Sequence, residues 1–219
     1  MVKKDKMAEM GRQLRCPSGE TAIEVADNMF LSNENMILRT IDQLSVKDGQ
    51  RILELGFGSG KHLSYLFGKA RDLQYWGVDI SGEMITLARE NNPVLVREGK
   101  GIFQLVDGKG KLPYAEDHSD IFFSVNTLYF WPDISFQLRE IHRVLKVDGQ
   151  VAIGYIEKSF GEKLPFTQTG FSFYETKAVE QYLKDAGFHS IRTMAYNEEA
   201  IAKDGNKIKR PYFISHGKK

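Results

Sequence analysis

The sequence predicts an α/β fold in which a doubly wound, mostly parallel sheet ends in an antiparallel β-hairpin. Three observations lead to this prediction. From residue 51 onward, apolar runs of strand length alternate with helical patterns, as in parallel sheets with right-handed crossovers. A glycine-rich turn follows the first of these strands and begins a helix. Two strand-like runs near the end, 190–196 and 209–215, have no helix between them and must therefore pair antiparallel.

We divide the 219 residues into an N-terminal segment, 1–19, and a single domain, 20–219. The first dozen residues are expected to be mobile or loosely helical. Residues 20–45 are expected to form two helices that act as a lid, with Ser32 or Asn33 capping the second. No repeat, low-complexity tract or linker indicates a second domain.

The other elements follow from apolar periodicity and from turn residues. The predicted strands cover residues 51–55, 73–80, 101–106, 119–128, 151–156, 190–196 and 209–215. The predicted helices between them cover residues 61–68, 82–91, 134–145 and 175–186. Pro93 is expected to stop the helix before it, and Asp204-Gly205-Asn206 to form the turn between the last two strands.

Composition excludes several classes of protein. The net charge of +1 argues against a protein built mainly to grip a nucleic acid backbone. The single cysteine, Cys16, excludes an internal disulfide and a cysteine-based zinc cluster, and no metal site is predicted. No apolar run is long enough to span a membrane, and we expect no secretory signal at the N-terminus. A cytoplasmic location is the resulting expectation.

The glycine turn, Glu54-Leu55-Gly56-Phe57-Gly58-Ser59-Gly60, discriminates between nucleotide-binding patterns. A dinucleotide fold requires Gly-x-Gly-x-x-Gly, but the third position here is Lys61, whose long side chain cannot replace a glycine. The phosphate-loop pattern is absent because no Gly-Lys-Ser/Thr follows at the required offset. About twenty residues later, a second apolar run ends in another carboxylate, Asp79. A glycine turn beside an acid is how a parallel sheet holds a nucleoside cofactor.

Over residues 51–192 the chain resembles the class I S-adenosylmethionine-dependent methyltransferases, of small bacterial type and similar to methyltransferase domain 11. The resemblance depends on six short motifs in order, at 54–60, 77–81, 106–114, 120–123, 138–150 and 183–188. It implies a Rossmann-like fold and S-adenosylmethionine as cofactor. It also implies transfer of the sulfonium methyl group to a small-molecule acceptor by in-line displacement. Asp148 departs from the Pro-Gly turn that is frequent in this superfamily.

The resemblance assigns the glycine turn to the cofactor. Gly56, Gly58 and Gly60 let the backbone approach the methionine tail and the ribose without a Cβ in the way, and Phe57 lies among them. Glu54 is expected either to reach the ammonium of the tail through water or merely to stabilise the turn.

Two aspartates receive roles from the same resemblance. Asp79 is expected to accept both ribose hydroxyls, and the alternative is a helix cap for Ser81 onward. Asp107 is expected near the adenine amino group, with the backbone of Gly108 alongside. The alternative for Asp107 is a simple turn residue.

The remaining candidates surround the cofactor. Ile80 and Met84 are expected to flank the adenine, although Met84 is equally suited to the core. Asn126 ends the fourth strand, at the edge of the sheet where ligands bind, and is expected to face the methionine portion. The aromatic loop 127–131 that follows is either a hydrophobic lid or a wall of the acceptor pocket.

No residue is named as catalytic, because methyl transfer from a sulfonium mainly needs orientation and exclusion of water. The residues that qualify as a general base by type alone are His62, His118, His142 and Tyr129. The acceptor pocket is expected to come from the N-terminal helices, the aromatic loop and the insert 158–174. Residues 15–19 resemble an N-terminal Pro-Ser-Gly element of some small bacterial methyltransferases.

Three alternatives to a small-molecule methyltransferase remain. The first is a methyltransferase of nucleic acid or protein. Against it, the Asn/Asp-Pro-Pro-Tyr/Phe motif is absent, since residues 126–129 read Asn-Thr-Leu-Tyr. The second is a cofactor-binding protein without catalysis, and the third is a nicotinamide oxidoreductase, which Lys61 disfavours. The protein is expected to be a monomer or a homodimer.

Overall fold

A computed structural model of the chain describes residues 2–201 and 207–219. Seven strands form one sheet: β1 (Arg51–Leu55), β2 (Gln74–Asp79), β3 (Gly101–Leu105), β4 (Ser119–Val125), β5 (Leu145–Ile156), β6 (His189–Ile201) and β7 (Lys207–Lys218). Their order across the sheet is β3-β2-β1-β4-β5-β7-β6. Strands β1 to β5 are parallel, whereas β7 is antiparallel to both β5 and β6. The predicted sheet is therefore confirmed, and the turn predicted at 204–206 lies outside the described residues.

Eight helices accompany the sheet in the described part of the chain: α1 (Val2–Arg15), α2 (Ala22–Asp42), α3 (Leu63–Phe67), α4 (Gly82–Asn91), α5 (Pro93–Arg97), α6 (Ile134–Val144), α7 (Lys158–Gly161) and α8 (Thr176–Asp185). A single 3₁₀ turn covers Leu128–Phe130. The opening residues, for which the sequence predicts either a mobile segment or a loose helix, form α1.

One helix, α2, stands where the sequence predicts two. Its 21 residues contain no glycine or proline, so nothing interrupts the backbone hydrogen bonds. Buried Ala26 and Met36 hold both halves of the helix to the same core. Ser32 and Asn33 are therefore interior positions, and the prediction that one of them caps a helix is wrong.

Other differences are local. Pro93 ends α4 as predicted but also begins α5, because proline fits the first turn of a helix. Strand β4 ends at Val125 because Asn126 turns the chain with a positive φ of 58°. Strand β5 begins at Leu145, before the predicted start, and Asp148 there has a φ of 63°.

The sheet separates two apolar layers because neighbouring side chains on a strand point to opposite faces. Ile52 and Phe123 belong to the layer that contains α2, α3 and α4. Leu53 and Phe122 belong to the layer that contains α6 and α8. Helices thus cover both faces of the sheet. An open cleft can therefore form only at an edge, at the carboxyl ends of β1, β2 and β4.

Candidate functional site

A cleft with about 1050 Å³ of empty space lies at the carboxyl edge of the sheet. Its floor is the turn after β1 together with the ends of β2 and β4. One wall comes from the end of α1 and from α2, through Leu14, Arg15, Pro17, Met29, Phe30 and Asn33. The opposite wall comes from the segment after β4 and the start of α6, through Phe130, Trp131, Pro132 and Gln137. The floor and the two walls together form a concave site of the kind that small-molecule ligands occupy.

The three glycines of the turn have different neighbours. A Cβ at Gly56 would overlap the Cγ2 atom of Thr127, and a Cβ at Gly60 would lie 3.1 Å from the Cβ of Ala88 in α4. A Cβ at Gly58 would meet nothing within 4 Å. Gly58, with a φ of 56°, therefore presents bare backbone to the cleft. Gly60 is a packing residue and does not line the cleft, contrary to the ligand role expected from the sequence.

Asp79 ends β2 and lines the cleft with only 7% of its surface exposed. Its Oδ1 accepts the Ser81 N–H at 3.0 Å, and its Oδ2 accepts the Gly58 N–H at 3.3 Å. Burial raises the pKa of Asp79 to about 6, although these backbone hydrogen bonds oppose the shift. The cap of α4 is Ser81, whose Oγ accepts the Met84 N–H at 3.2 Å. Ser81 therefore fills the capping position of α4 that the alternative interpretation gave to Asp79.

Glu54 lies beneath the turn and is 2% exposed. Its Oε2 accepts hydrogen bonds from the Tyr75 hydroxyl at 2.6 Å and from His62 Nε2 at 2.8 Å. The Nδ1 of His62 is buried without a partner among the described residues. The ring must carry a proton on Nε2 to donate to this carboxylate. Burial and the Glu54 charge hold the pKa of Tyr75 well above its usual value, so the phenol remains a donor.

The cleft carries negative charge. Glu54 and Asp79 both line it. Glu54 is paired with His62 Nε2 at 2.8 Å, and within the described residues neither carboxylate forms an ion pair with a lysine or an arginine. Arg15 is the cationic side chain that reaches the cleft, and it is exposed to solvent. Buried carboxylates without a cation are costly, so this site favours a positively charged ligand.

Asn126 connects the end of β4 to the lid helix. Its Nδ2 donates to Asn33 Oδ1 at 2.8 Å, and its Oδ1 accepts from the Tyr129 hydroxyl at 2.9 Å. Arg210 also donates to Asn33 Oδ1 at 3.0 Å, and its Nε bonds to Glu198 at 2.7 Å. This buried network fixes α2 against β4 and the final hairpin.

Tyr129 is not placed to act as a base. Its hydroxyl donates to Asn126 and accepts the backbone N–H of Ile156. Burial raises the pKa of Tyr129 far above its usual value. The described residues include all five histidines, and none of them lines the cleft. His118 contacts Trp76 and Tyr114, while His142 packs against Phe188.

Nine of the eleven predicted cofactor residues line the cleft: Glu54, Gly56, Phe57, Gly58, Asp79, Ile80, Met84, Gly108 and Asn126. Gly60 and Asp107 do not. Asp107 is exposed, and its Oδ1 accepts the Lys109 N–H at 2.9 Å, which is the geometry of a turn aspartate. Met84 is buried and also lines the cleft, which is compatible with either of its suggested roles.

The aromatic segments divide between the core and the cleft. Phe130 and Trp131 line the cleft, whereas Leu128 and Tyr129 are buried behind it. Within the insert 158–174, Phe171 and Phe173 pack against Tyr129. No residue of the insert lines the cleft, so the insert supports the wall from behind.

Two residues that the sequence analysis missed also line the cleft. Ser59 Oγ and Gln137 Nε2 are buried and have no hydrogen-bond partner among the described residues. Ser59 lies within the recognised turn. Gln137 follows Ile134 by three residues and precedes Ile141 by four, on the apolar stripe of α6. A polar residue on the apolar stripe of a helix could have indicated Gln137 as a site residue, because a buried polar group needs a hydrogen-bond partner.

Segment 15–19 crosses to the start of α4. The carbonyl of Pro17 accepts the Ser81 hydroxyl at 2.5 Å, and the Gly19 N–H bonds to Glu83 at 3.2 Å. None of the described helices has the length and apolarity needed to cross a membrane.

Comparison with known proteins agrees with this geometry. The model of a family described as a methyltransferase domain matches residues 53–153. Phosphoethanolamine N-methyltransferase 1 of Triticum aestivum is 29% identical over 156 residues, covering 69% of this chain and 30% of that protein. The uncharacterized methyltransferase YdaC of Bacillus subtilis is 32% identical over 126 residues, covering 57% of this chain and 66% of that protein. The chain thus spans less than two thirds of the length of either relative.

A solved structure extends the similarity to nearly the whole chain. Haemonchus contortus phosphoethanolamine N-methyltransferase 2, in complex with phosphomonomethylethanolamine and S-adenosylhomocysteine, has a TM-score of 0.71 at 17% identity. The alignment covers 97% of this chain and 60% of that one. The sheet order, the glycine turn and these similarities define a class I S-adenosylmethionine-dependent methyltransferase. The family match covers residues 53–153, and S-adenosylmethionine is the cofactor of this class.

Proposed function

We propose that the protein transfers the methyl group of S-adenosylmethionine to a small-molecule acceptor by in-line displacement at the sulfonium methyl. The named relatives that act on phosphoethanolamine support the acceptor class. The near-zero net charge also favours it over a nucleic acid acceptor. A monomer or a homodimer remains our prediction for the assembly.

The single observation that carries the proposal is the pair of buried carboxylates, Glu54 and Asp79, which line the cleft without a lysine or arginine partner among the described residues. S-adenosylmethionine bears an ammonium and a sulfonium, so it supplies the missing positive charge. Bare backbone at Gly58 gives the ligand close access, and the unpaired Ser59 and Gln137 atoms offer it hydrogen bonds.

Each side chain receives a role from its position. Asp79 accepts the ribose hydroxyls, and Glu54 attracts the ammonium of the methionine tail. Gly58 lies beside the tail and the ribose. Asn126, held by Asn33 and Tyr129, faces the methionine portion at the end of β4.

When bound, S-adenosylmethionine supplies a methyl group that its sulfonium has already activated. The protein then has to orient the acceptor and exclude water. Met29, Phe30, Phe130 and Trp131 provide apolar walls for this purpose. No histidine lines the cleft, and the Tyr129 hydroxyl is held by hydrogen bonds to Asn126 and Ile156. The proposed acceptor therefore attacks through a free lone pair and transfers no proton to these side chains.

Calorimetric titration with S-adenosylmethionine, S-adenosylhomocysteine and NAD tests the cofactor part. We expect micromolar binding of the first two and none of NAD, and a preference for NAD would refute the proposal.

A methyl donor with a labelled methyl group tests the acceptor part. It should label a low-molecular-mass fraction of a metabolite extract, whereas label confined to RNA or protein would refute the acceptor class. Binding without turnover over a broad acceptor panel would instead indicate a cofactor-binding protein without catalysis.

A further inference from the structure

The base of the cofactor has a definable place in the cleft, given the proposed ribose contact at Asp79. Ile80 follows Asp79 directly and lines the cleft. A Cβ at Gly108 would lie 3.0 Å from Ile80 Cγ2, so the loop after β3 passes beside Ile80. Two residues further, a Cβ at Gly110 would lie 3.3 Å from the Oε1 of Gln137. A base attached to that ribose is therefore bounded by Ile80, this loop and Gln137.

Asp107, the acid that the family resemblance places near the adenine, lies on the surface. Asp107 is exposed, and its carboxylate holds the backbone N–H of Lys109 at 2.9 Å. The Lys109 ammonium is also 3.9 Å from this carboxylate. Asp107 does not line the cleft, and its contacts within the described residues are those of a surface turn.

Gln137 has the properties that Asp107 lacks. Its residue surface is 3% exposed, it lines the cleft, and its Nε2 has no partner among the described residues. A buried amide without a partner is unfavourable, so it needs a ligand that supplies one. A glutamine carboxamide presents a donor and an acceptor side by side. This pair complements the N6 amino group of adenine and an adjacent ring nitrogen, as glutamine does with adenine in DNA.

We propose that Gln137 reads the adenine edge of the cofactor and sets the specificity of the site for adenine, in place of Asp107. This inference rests on the proposed cofactor site and assigns a specificity-determining residue within it. A purine base without the 6-amino group offers no N–H to the Gln137 oxygen, whereas adenine does. Gln137 thus discriminates between the two bases by an unpaired polar group.

The test compares the affinities of two ligands, S-adenosylhomocysteine and its analogue in which unsubstituted purine replaces adenine. The wild-type protein should prefer the adenine ligand by about 10- to 100-fold, the scale of one bidentate contact. Gln137→Met keeps the length of the side chain without its polar atoms. It should weaken the adenine ligand more than the purine ligand, so that the preference disappears.

Two further variants make the result specific. Gln137→Glu can still accept from N6 but cannot donate, so it should retain part of the preference, and it serves if the methionine variant does not fold. Asp107→Asn is the matched control and should bind both ligands as the wild type does. Circular dichroism and thermal melting establish that each variant is folded.

The possible failures are distinguishable. Equal weakening of both ligands by Gln137→Met would mean a packing role and would overturn this inference alone. Loss of the adenine preference in Asp107→Asn would return the role to the aspartate. A wild-type protein that binds neither ligand would refute the proposed function and this inference together.

Discussion

Cofactor affinity should depend on pH through the Asp79 carboxylate, whose pKa burial raises to about 6. Ribose hydroxyls donate to the ionised carboxylate, so binding requires Asp79 to lose its proton. At pH 5 only about one molecule in eleven is ionised, and near pH 7.5 almost all are. The dissociation constant for S-adenosylhomocysteine should therefore fall about tenfold between pH 5 and pH 7.5 and then stay constant.

Calorimetry at constant ionic strength measures this dependence. Methylthioadenosine, which lacks the amino-acid tail, should show the same profile because it keeps the ribose. Asp79→Asn removes the titrating group, so its weaker affinity should be nearly independent of pH. A wild-type dissociation constant that stays flat from pH 5 to 7.5, or an Asp79→Asn variant that keeps the wild-type slope, would refute the reasoning.

The same raised pKa affects stability with a definite sign. The folded state holds this proton more tightly than the unfolded chain, whose aspartate has a pKa of about 3.8. The protonated Asp79 carboxyl therefore makes its full contribution to the free energy of unfolding below pH 4, and this contribution is lost as the pH rises through 6. The loss amounts to about 3 kcal/mol in the ligand-free protein. Urea unfolding of the wild type and Asp79→Asn at pH 4 and pH 7 measures the difference, and equal pH dependence in the two would contradict it.

Three more groups of substitutions test the site and its support. Gly58→Ala should weaken S-adenosylhomocysteine binding at least tenfold because its Cβ enters the cleft. Gly60→Ala should instead lower stability by about 1–2 kcal/mol or more and leave the dissociation constant of the folded protein unchanged. Calorimetry measures the dissociation constants and urea unfolding measures the stabilities, and the opposite pattern would refute the assignment of the glycines. Arg210→Met leaves the buried Glu198 charge unpaired and should cost about 3–5 kcal/mol in urea unfolding, most of which Arg210→Met combined with Glu198→Leu should restore. Tyr129→Phe should lose about 1–3 kcal/mol of stability with no new break in the pH profile of methyl transfer, and a changed profile would indicate that the phenol exchanges protons with the acceptor.

The regular part of the fold was predictable because local sequence determines it. The bounds of β1 and α4 agree with the prediction, since each has a strong signal: the glycine turn after β1 and the Ser81 cap before α4. The prediction failed at α2, where polar residues 32–35 suggested a break. Tertiary packing on both sides of that stretch overrides its weak helix propensity.

The site was predictable to the extent that it follows the family pattern. A motif identifies which residues are near the cofactor but not how each one packs, so it could not indicate that Asp107 lies in an exposed turn or that Gly60 packs against Ala88. Gln137 lies outside the recognised motifs, and its role depends on burial. The contact between Asn33 and Arg210 joins residues 177 positions apart, and no local pattern encodes such a pair.

The position of Arg210 has a consequence for biosynthesis. The glycine turn and both cleft carboxylates emerge from the ribosome before β7, which carries Arg210. Until that strand docks beside β5, the guanidinium cannot hold the Ser32 carbonyl and the Asn33 side chain of the lid helix. A polypeptide that ends before residue 207 would therefore contain β1 to β6 yet lack a properly anchored α2, and we expect it to bind the cofactor weakly.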